Sequence, residues 1–206
     1  MAKPPPDPIS SRVSREDAIA RFLDTTIKLL DTKPVAELTV QLIADAVGLN
    51  HGYVFRYFGT RLDLLCDVSD ELANRALLAV RTEMERRVQE NVVVPPGDLT
   101  LLMLGRPFTL KRQFLLQYLT ANGVPPERFG PKGREMIQTS VDTLEQQGMS
   151  PRMARSQAIK VSVMLWAQVS LAQQMGVSQE ESMDLFAVTI DELNNTQESE
   201  KRLGWN

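Results

Sequence analysis

The sequence predicts an all-α fold, and three observations carry that expectation. Apolar residues recur at three- and four-residue spacing along most of the chain, cap residues stand where the periodic segments begin, and no stretch alternates polar with apolar residues as a half-buried strand would. The 206 residues suit one or two domains with a buried core, and 43% apolar against 24% charged residues is an ordinary globular balance.

Residues 1–13 hold four prolines and no apolar period, which predicts a disordered arm carrying Lys3 and Arg12. That start lacks the apolar core of a secretory signal, and the lone Cys66 can form no intrachain disulfide, so a cytoplasmic protein is expected. Order begins at Ser14, where Ser14-Arg15-Glu16-Asp17 resembles a capping box with aspartate in the acidic position. Phe22, Leu23, Thr26, Ile27 and Leu30 then mark a helix to about Asp31, closed by Lys33-Pro34.

Two short helices follow. The first runs from an N-cap Thr39 to Val47 and stops at Gly48, with Leu38 and Ile43 spaced as a hydrophobic staple. The second starts at an N-cap Asn50 and ends near Phe58-Gly59, with Leu49 and Val54 repeating the staple spacing. Thr60-Arg61-Leu62-Asp63 then opens a long helix to about Val88. Further helices are expected near Thr100–Leu104, Phe108–Ala121, Pro131–Gln147 and Pro151–Met175, and a last one behind the capping box Ser178-Gln179-Glu180-Glu181. The organisation read from this pattern is an arm over 1–13, a helix-turn-helix domain over 14–60, a helical domain over 61–195 and a flexible tail over 196–206.

A short helix, a glycine turn and a second short helix make a helix-turn-helix, whose second helix can enter a major groove. The charge balance gives this reading no help. The whole chain carries −3, and residues 14–65 hold six basic against seven acidic side chains, a net of −1. Phosphate affinity would need local cations and helix ends rather than a basic total. On a helical wheel, Val54, Phe55 and Phe58 share one arc of the second helix, while Gly52, Tyr53, Arg56 and Tyr57 share the other. Tyrosine hydroxyls and Arg56 on that second arc could meet phosphates. The same hairpin also occurs in helical bundles that never touch DNA, so an all-helical protein-interaction module is the alternative.

Thr39-Val40 stands ahead of Ile43-Ala44, a Gly48-Leu49 turn follows, and the small Gly52 comes after His51. An aromatic run then ends in Phe58, and the basic Arg61 precedes Leu64-Leu65. In these features residues 15–70 resemble the N-terminal domain of the TetR family of repressors. The resemblance implies a sequence-specific transcriptional regulator, a repressor released from a palindromic DNA operator when a small-molecule effector binds. Gln41, His51 and Gly52 then stand where relatives meet base edges. Tyr53, Tyr57 and Arg61 stand at phosphate positions, Thr39 caps the helix that crosses the backbone, and Asn50 and Arg56 complete the DNA-binding set. Glutamine suits adenine and histidine a guanine acceptor. Phe55 replaces a tyrosine usual in the family, and Arg61 replaces a lysine.

The resemblance also implies a homodimer built through the last two helices, with Ala158, Val161, Leu165, Val169, Phe186 and Ile190 as interface candidates. The helix over Pro151–Met175 is apolar around much of its circumference, as burial on more than one side requires. Ser162, Gln168, Ser170, Gln173 and Gln174 argue against a membrane span there. An effector pocket is implied among Leu101, Met103, Phe108, Phe114, Tyr118, Met136, Met164 and Trp166. No enzyme is expected: the single histidine lies in the second short helix, and no metal spacing, P-loop or dinucleotide fingerprint occurs, so no cofactor is implied.

Overall fold

The computed structural model describes residues 13–92, 95, 97, 107–172 and 174–205, and all regular elements among them are helical. The helices are α1 (Arg15–Leu29), α2 (Val40–Val47), α3 (Gly52–Tyr57), α4 (Arg61–Gln89), α5 (Pro107–Ala121), α6 (Gly130–Gln146), α7 (Pro151–Leu171), α8 (Gln179–Asn194) and α9 (Thr196–Leu203). Single 3-10 turns at Val35–Glu37 and Pro126–Phe129 lead into α2 and α6. The helix expected at 100–104 and all of the expected arm but Val13 lie outside the described residues. The chain divides into two compact units at Leu64, within the first turn of α4.

The caps of the first unit form as local chemistry dictates. Ser14 Oγ accepts from the Asp17 N–H at 3.0 Å, and Thr39 Oγ1 accepts from the Leu42 N–H at 3.1 Å. Thr60 and Asp63 exchange bonds across the start of α4, completing a capping box with aspartate in it. Gly48 ends α2 at φ 73°, a left-handed conformation that a side chain would strain. The Leu49 N–H then reaches back to the Ala44 carbonyl at 3.1 Å, which closes the turn. Phe22, Leu38, Ile43, Val54 and Leu64 are fully buried, and the rings of Phe22 and Phe58 meet edge to face at 5.9 Å.

In the second unit, α6 and α7 pack along one another, and α7 also meets α5 and α8. Val141, Leu144, Met149, Met153, Ala154 and Ala158 form a buried cluster with Trp205 packed against it. Cys66 is buried in α4. The C-terminal stretch departs from expectation: residues 196–203 are helical instead of a flexible tail. The reason is a contact fifty positions back in the chain. Glu200, itself buried, accepts the Ser150 N–H at 2.9 Å and so caps α7, while the Arg152 guanidinium lies 4.3 Å from the centre of the Trp205 ring. No described helix is long and apolar enough to cross a membrane.

Candidate nucleic-acid interface

Helices α2 and α3, joined through Gly48-Leu49-Asn50-His51, leave a continuous set of polar and aromatic side chains in solvent. Asn50 opens α3 by accepting the Gly52 N–H on its side-chain oxygen at 2.7 Å, so it is spent on the turn. Val54 is fully buried and anchors the short helix, which leaves His51, Gly52 and Arg56 exposed. Thr39 and Gln41 are exposed on α2. Gln41 donates to Asp45 at 2.7 Å, one turn on, so its amide would have to exchange that partner for a base.

Tyr53 and Tyr57 stand one turn apart with ring centres 5.4 Å from each other. The guanidinium of Arg56 approaches the Tyr57 ring at 5.7 Å, and that of Arg15, in the first turn of α1, approaches it at 5.9 Å. Two cations and two phenol groups are thereby gathered on one small surface of a unit whose net charge is near zero. Sequence reasoning missed Arg15. The signal was only its place at the head of α1, and nothing in the local pattern ties that place to α3.

Two site residues sit differently from expectation. Phe55 does not join Val54 and Phe58 in the core; it is 55% exposed and meets His51 edge to face at 6.4 Å. Helix α3 has only six residues, so one buried anchor suffices and the wheel overstates its apolar arc. Arg61 differs as well. Its Nε donates to the Leu38 carbonyl at 2.5 Å and its Nη2 to the Val35 carbonyl at 2.6 Å. Those two guanidinium nitrogens hold the turn before α2, where the resemblance implied a phosphate contact.

The second unit contains a cavity of about 190 Å³ between α5, α6 and α7. Of the expected effector contacts, Met136 and Trp166 line it. Phe108 borders a separate shallow groove with Leu78 and Thr82, Phe114 is 55% exposed, and the Met164 sulfur accepts from the Thr189 hydroxyl. Tyr118 is half-buried elsewhere on α5, and Leu101 and Met103 lie outside the described residues. The cause is the phase of α5: Thr109, Arg112, Gln113 and Leu116, at helical spacing, turn into the cavity, which points Phe114 and Tyr118 away.

The expected dimer residues are also redistributed. Ala158 and Leu165 are buried in their own chain, and with Val161 they line the cavity. Ile190 packs so close to Gly97 that a Cβ there would fall 2.5 Å from its Cγ2. Phe186 is half-buried, and the Val169 side chain falls outside the description. The exposed large apolar residues of these helices, among the described ones, are instead Ile159, Val163, Trp166 and Leu171 on α7 and Met183, Leu185 and Val188 on α8.

The profile of the family described as bacterial regulatory proteins, tetR family, matches residues 22–68, the span from α1 into α4 that carries this surface. Residues 22–68 match the N-terminal domain of the tetR family. The TetR-type domain is joined here to a helical second unit, and solved structures share that arrangement. A candidate transcriptional regulator from Rhodococcus sp. RHA1 superposes with a TM-score of 0.62 at 17% identity, over 87% of this chain and 95% of that one. The TetR family repressor AlkX from Dietzia sp. strain DQ12-45-1b, implicated in biodegradation of n-alkanes, superposes with a TM-score of 0.57 at 16% identity, over 90% and 98%. No curated protein matches the sequence.

Proposed function

We propose that this protein is a DNA-binding transcriptional regulator, a repressor that reads a palindromic operator as a two-fold dimer and leaves it when a small molecule occupies the second unit. The observation that carries the reading is the exposed cluster of Tyr53, Tyr57, Arg15 and Arg56 beside α3 in a TetR-type domain. Phosphate contacts of that kind fix a recognition helix in its groove, and His51, Gly52, Phe55 and Gln41 are left to meet base edges. Ile159 and Val163, one turn apart and exposed on α7, support a second copy as the partner, because such side chains gain by leaving water. With this function the chain works in the cytoplasm and needs no catalytic group or cofactor.

The test is an electrophoretic mobility shift on DNA from the region upstream of the protein's own reading frame. Saturable binding to one segment, lost on scrambling it, supports the reading. Sequence-blind binding or none favours the interaction module.

A further inference from the structure

The cavity of the second unit holds a buried guanidinium whose hydrogen-bonding capacity is only partly used among the described residues. Arg112 is 5% exposed and lines the cavity between α5, α6 and α7. One nitrogen of its guanidinium, Nε, donates to the Ser69 carbonyl at 3.2 Å, but Nη2 is buried without a partner among the described residues. Burial pushes the guanidinium below its ordinary pKa, and the opposing influence comes from Asp70. That carboxylate is already engaged: its Oδ2 accepts from Arg128 at 2.8 Å, while its Oδ1 has no hydrogen bond among the described residues. Gln113, on the same face of α5, adds a further buried atom without a partner among them, its Oε1. A buried guanidinium donor left without a partner costs the fold stability, so it persists where something outside the chain satisfies it.

Most of the remaining wall is apolar, with Leu116, Met136, Ile137, Leu165 and Trp166 in it, and the hydroxyl side chains of Thr109, Ser140 and Ser162 interrupt it. A cavity of about 150 Å³ holds a benzene-sized body, so the 190 Å³ here admits one ring or a short alkyl chain with one polar end. We propose that the cavity binds a compact apolar monocarboxylate, whose carboxylate takes the free edge of Arg112 and whose body lies against Met136 and Trp166. This rests on the effector reading above and names its chemistry. Arginine matches a carboxylate with two parallel bonds, and the low polarity of the surroundings strengthens them. The Gln113 amide can turn to offer its NH2 group to the same ligand.

The test uses the full chain carrying Trp205→Phe, which leaves Trp166 as the sole indole, since the sequence has two tryptophans. Hexanoate and phenylacetate, each beside its neutral primary amide, are titrated while Trp166 emission is followed. The expected result is a saturable change with at least a tenfold preference for each acid over its amide. Arg112→Met should abolish that preference, and Arg112→Lys, which keeps a charge, should retain part of it. Met136→Phe, which narrows the cavity from the opposite helix without adding an indole, should weaken both ligands without touching the arginine. Equal binding of acid and amide, a preference unchanged in Arg112→Met, or no saturable response to either acid overturns the proposal. Because no DNA is present, failure of operator binding leaves the result intact. Carboxylate binding that fails to change an observed mobility shift would uphold this site and overturn the effector role assigned to it.

Discussion

The Arg61 guanidinium donates to the main-chain carbonyl of Leu38, twenty-three positions earlier, at 2.5 Å. With the second bond to Val35 it fastens the start of α4 to the turn that enters α2. Hydrogen bonds from a charged group are worth about 1.5–3 kcal/mol each where burial protects them, and these are half-buried. Arg61→Met should therefore lower the unfolding free energy by about 2 kcal/mol. Its DNA affinity, measured well below the unfolding transition, should keep the wild-type dependence on salt. Urea denaturation followed by far-UV circular dichroism checks the first; a salt titration of operator binding checks the second. A salt slope that falls by about one would return Arg61 to phosphate.

Arg56 and Tyr57 should behave in the opposite way. Arg56→Ala should weaken binding to every DNA sequence alike and reduce the salt slope by about one. Tyr57→Phe keeps the ring against both guanidinium groups but removes the hydroxyl, so it should lose less affinity than Tyr57→Ala. Fluorescence anisotropy at several salt concentrations separates these outcomes.

Phe55 offers base edges an apolar ring with no hydroxyl. Its natural target in a major groove is the thymine methyl group. Phe55→Ala should weaken operator binding several-fold, and replacing individual operator thymines with deoxyuridine should reproduce that loss at one position per half-site. Uniform tolerance of deoxyuridine would remove Phe55 from base recognition.

How much of this could be read from the sequence depends on the distance over which each feature is decided. Ser14, Thr39, Gly48 and Ser178 act within four residues of themselves, and the sequence places all four at helix ends. Arg61 and Glu200 act across twenty-three and fifty positions, where no local pattern indicates the partner. Phe55 was misplaced because a six-residue helix with one buried anchor has too few turns for periodicity to define a face. Arg112 was invisible because an arginine at helical spacing reads as surface. Only the packing of α5 against α7, beside the cavity, turns it inward.

Glu83 predicts a pH dependence. It bonds Arg86 and Arg87 one turn on, each at 2.7 Å, and those hydrogen bonds lower its pKa from the ordinary 4.5 to about 2. A depressed carboxylate stabilises the fold fully above its ordinary value and loses that contribution as pH falls toward about 2. The stability difference between wild type and Glu83→Gln should accordingly shrink across that window and stay constant from pH 5 to 8. Because the Arg86 side chain is exposed, the difference should also shrink in high salt. Thermal denaturation at stepped pH checks both.

Glu200 ties the end of the chain to α7. Glu200→Ala leaves the Ser150 N–H without its acceptor and should cost about 1–3 kcal/mol. Glu200→Gln, which keeps an acceptor oxygen, should cost less. Hydrogen exchange should then quicken first in the opening turn of α7.

The burial of Cys66 has a practical consequence for measuring this molecule. A thiol closed off from solvent does not meet maleimide or methanethiosulfonate reagents, and the sequence holds no other. A single cysteine placed at an exposed position such as Glu37 would therefore be the sole site to accept a spin label, in an otherwise natural background. In a two-fold dimer each copy contributes one label, and a dipolar measurement between them reads the separation of the two first units, each of which carries its α3. Recorded with and without a bound acid, that one distance reports whether occupancy of the second unit moves the first.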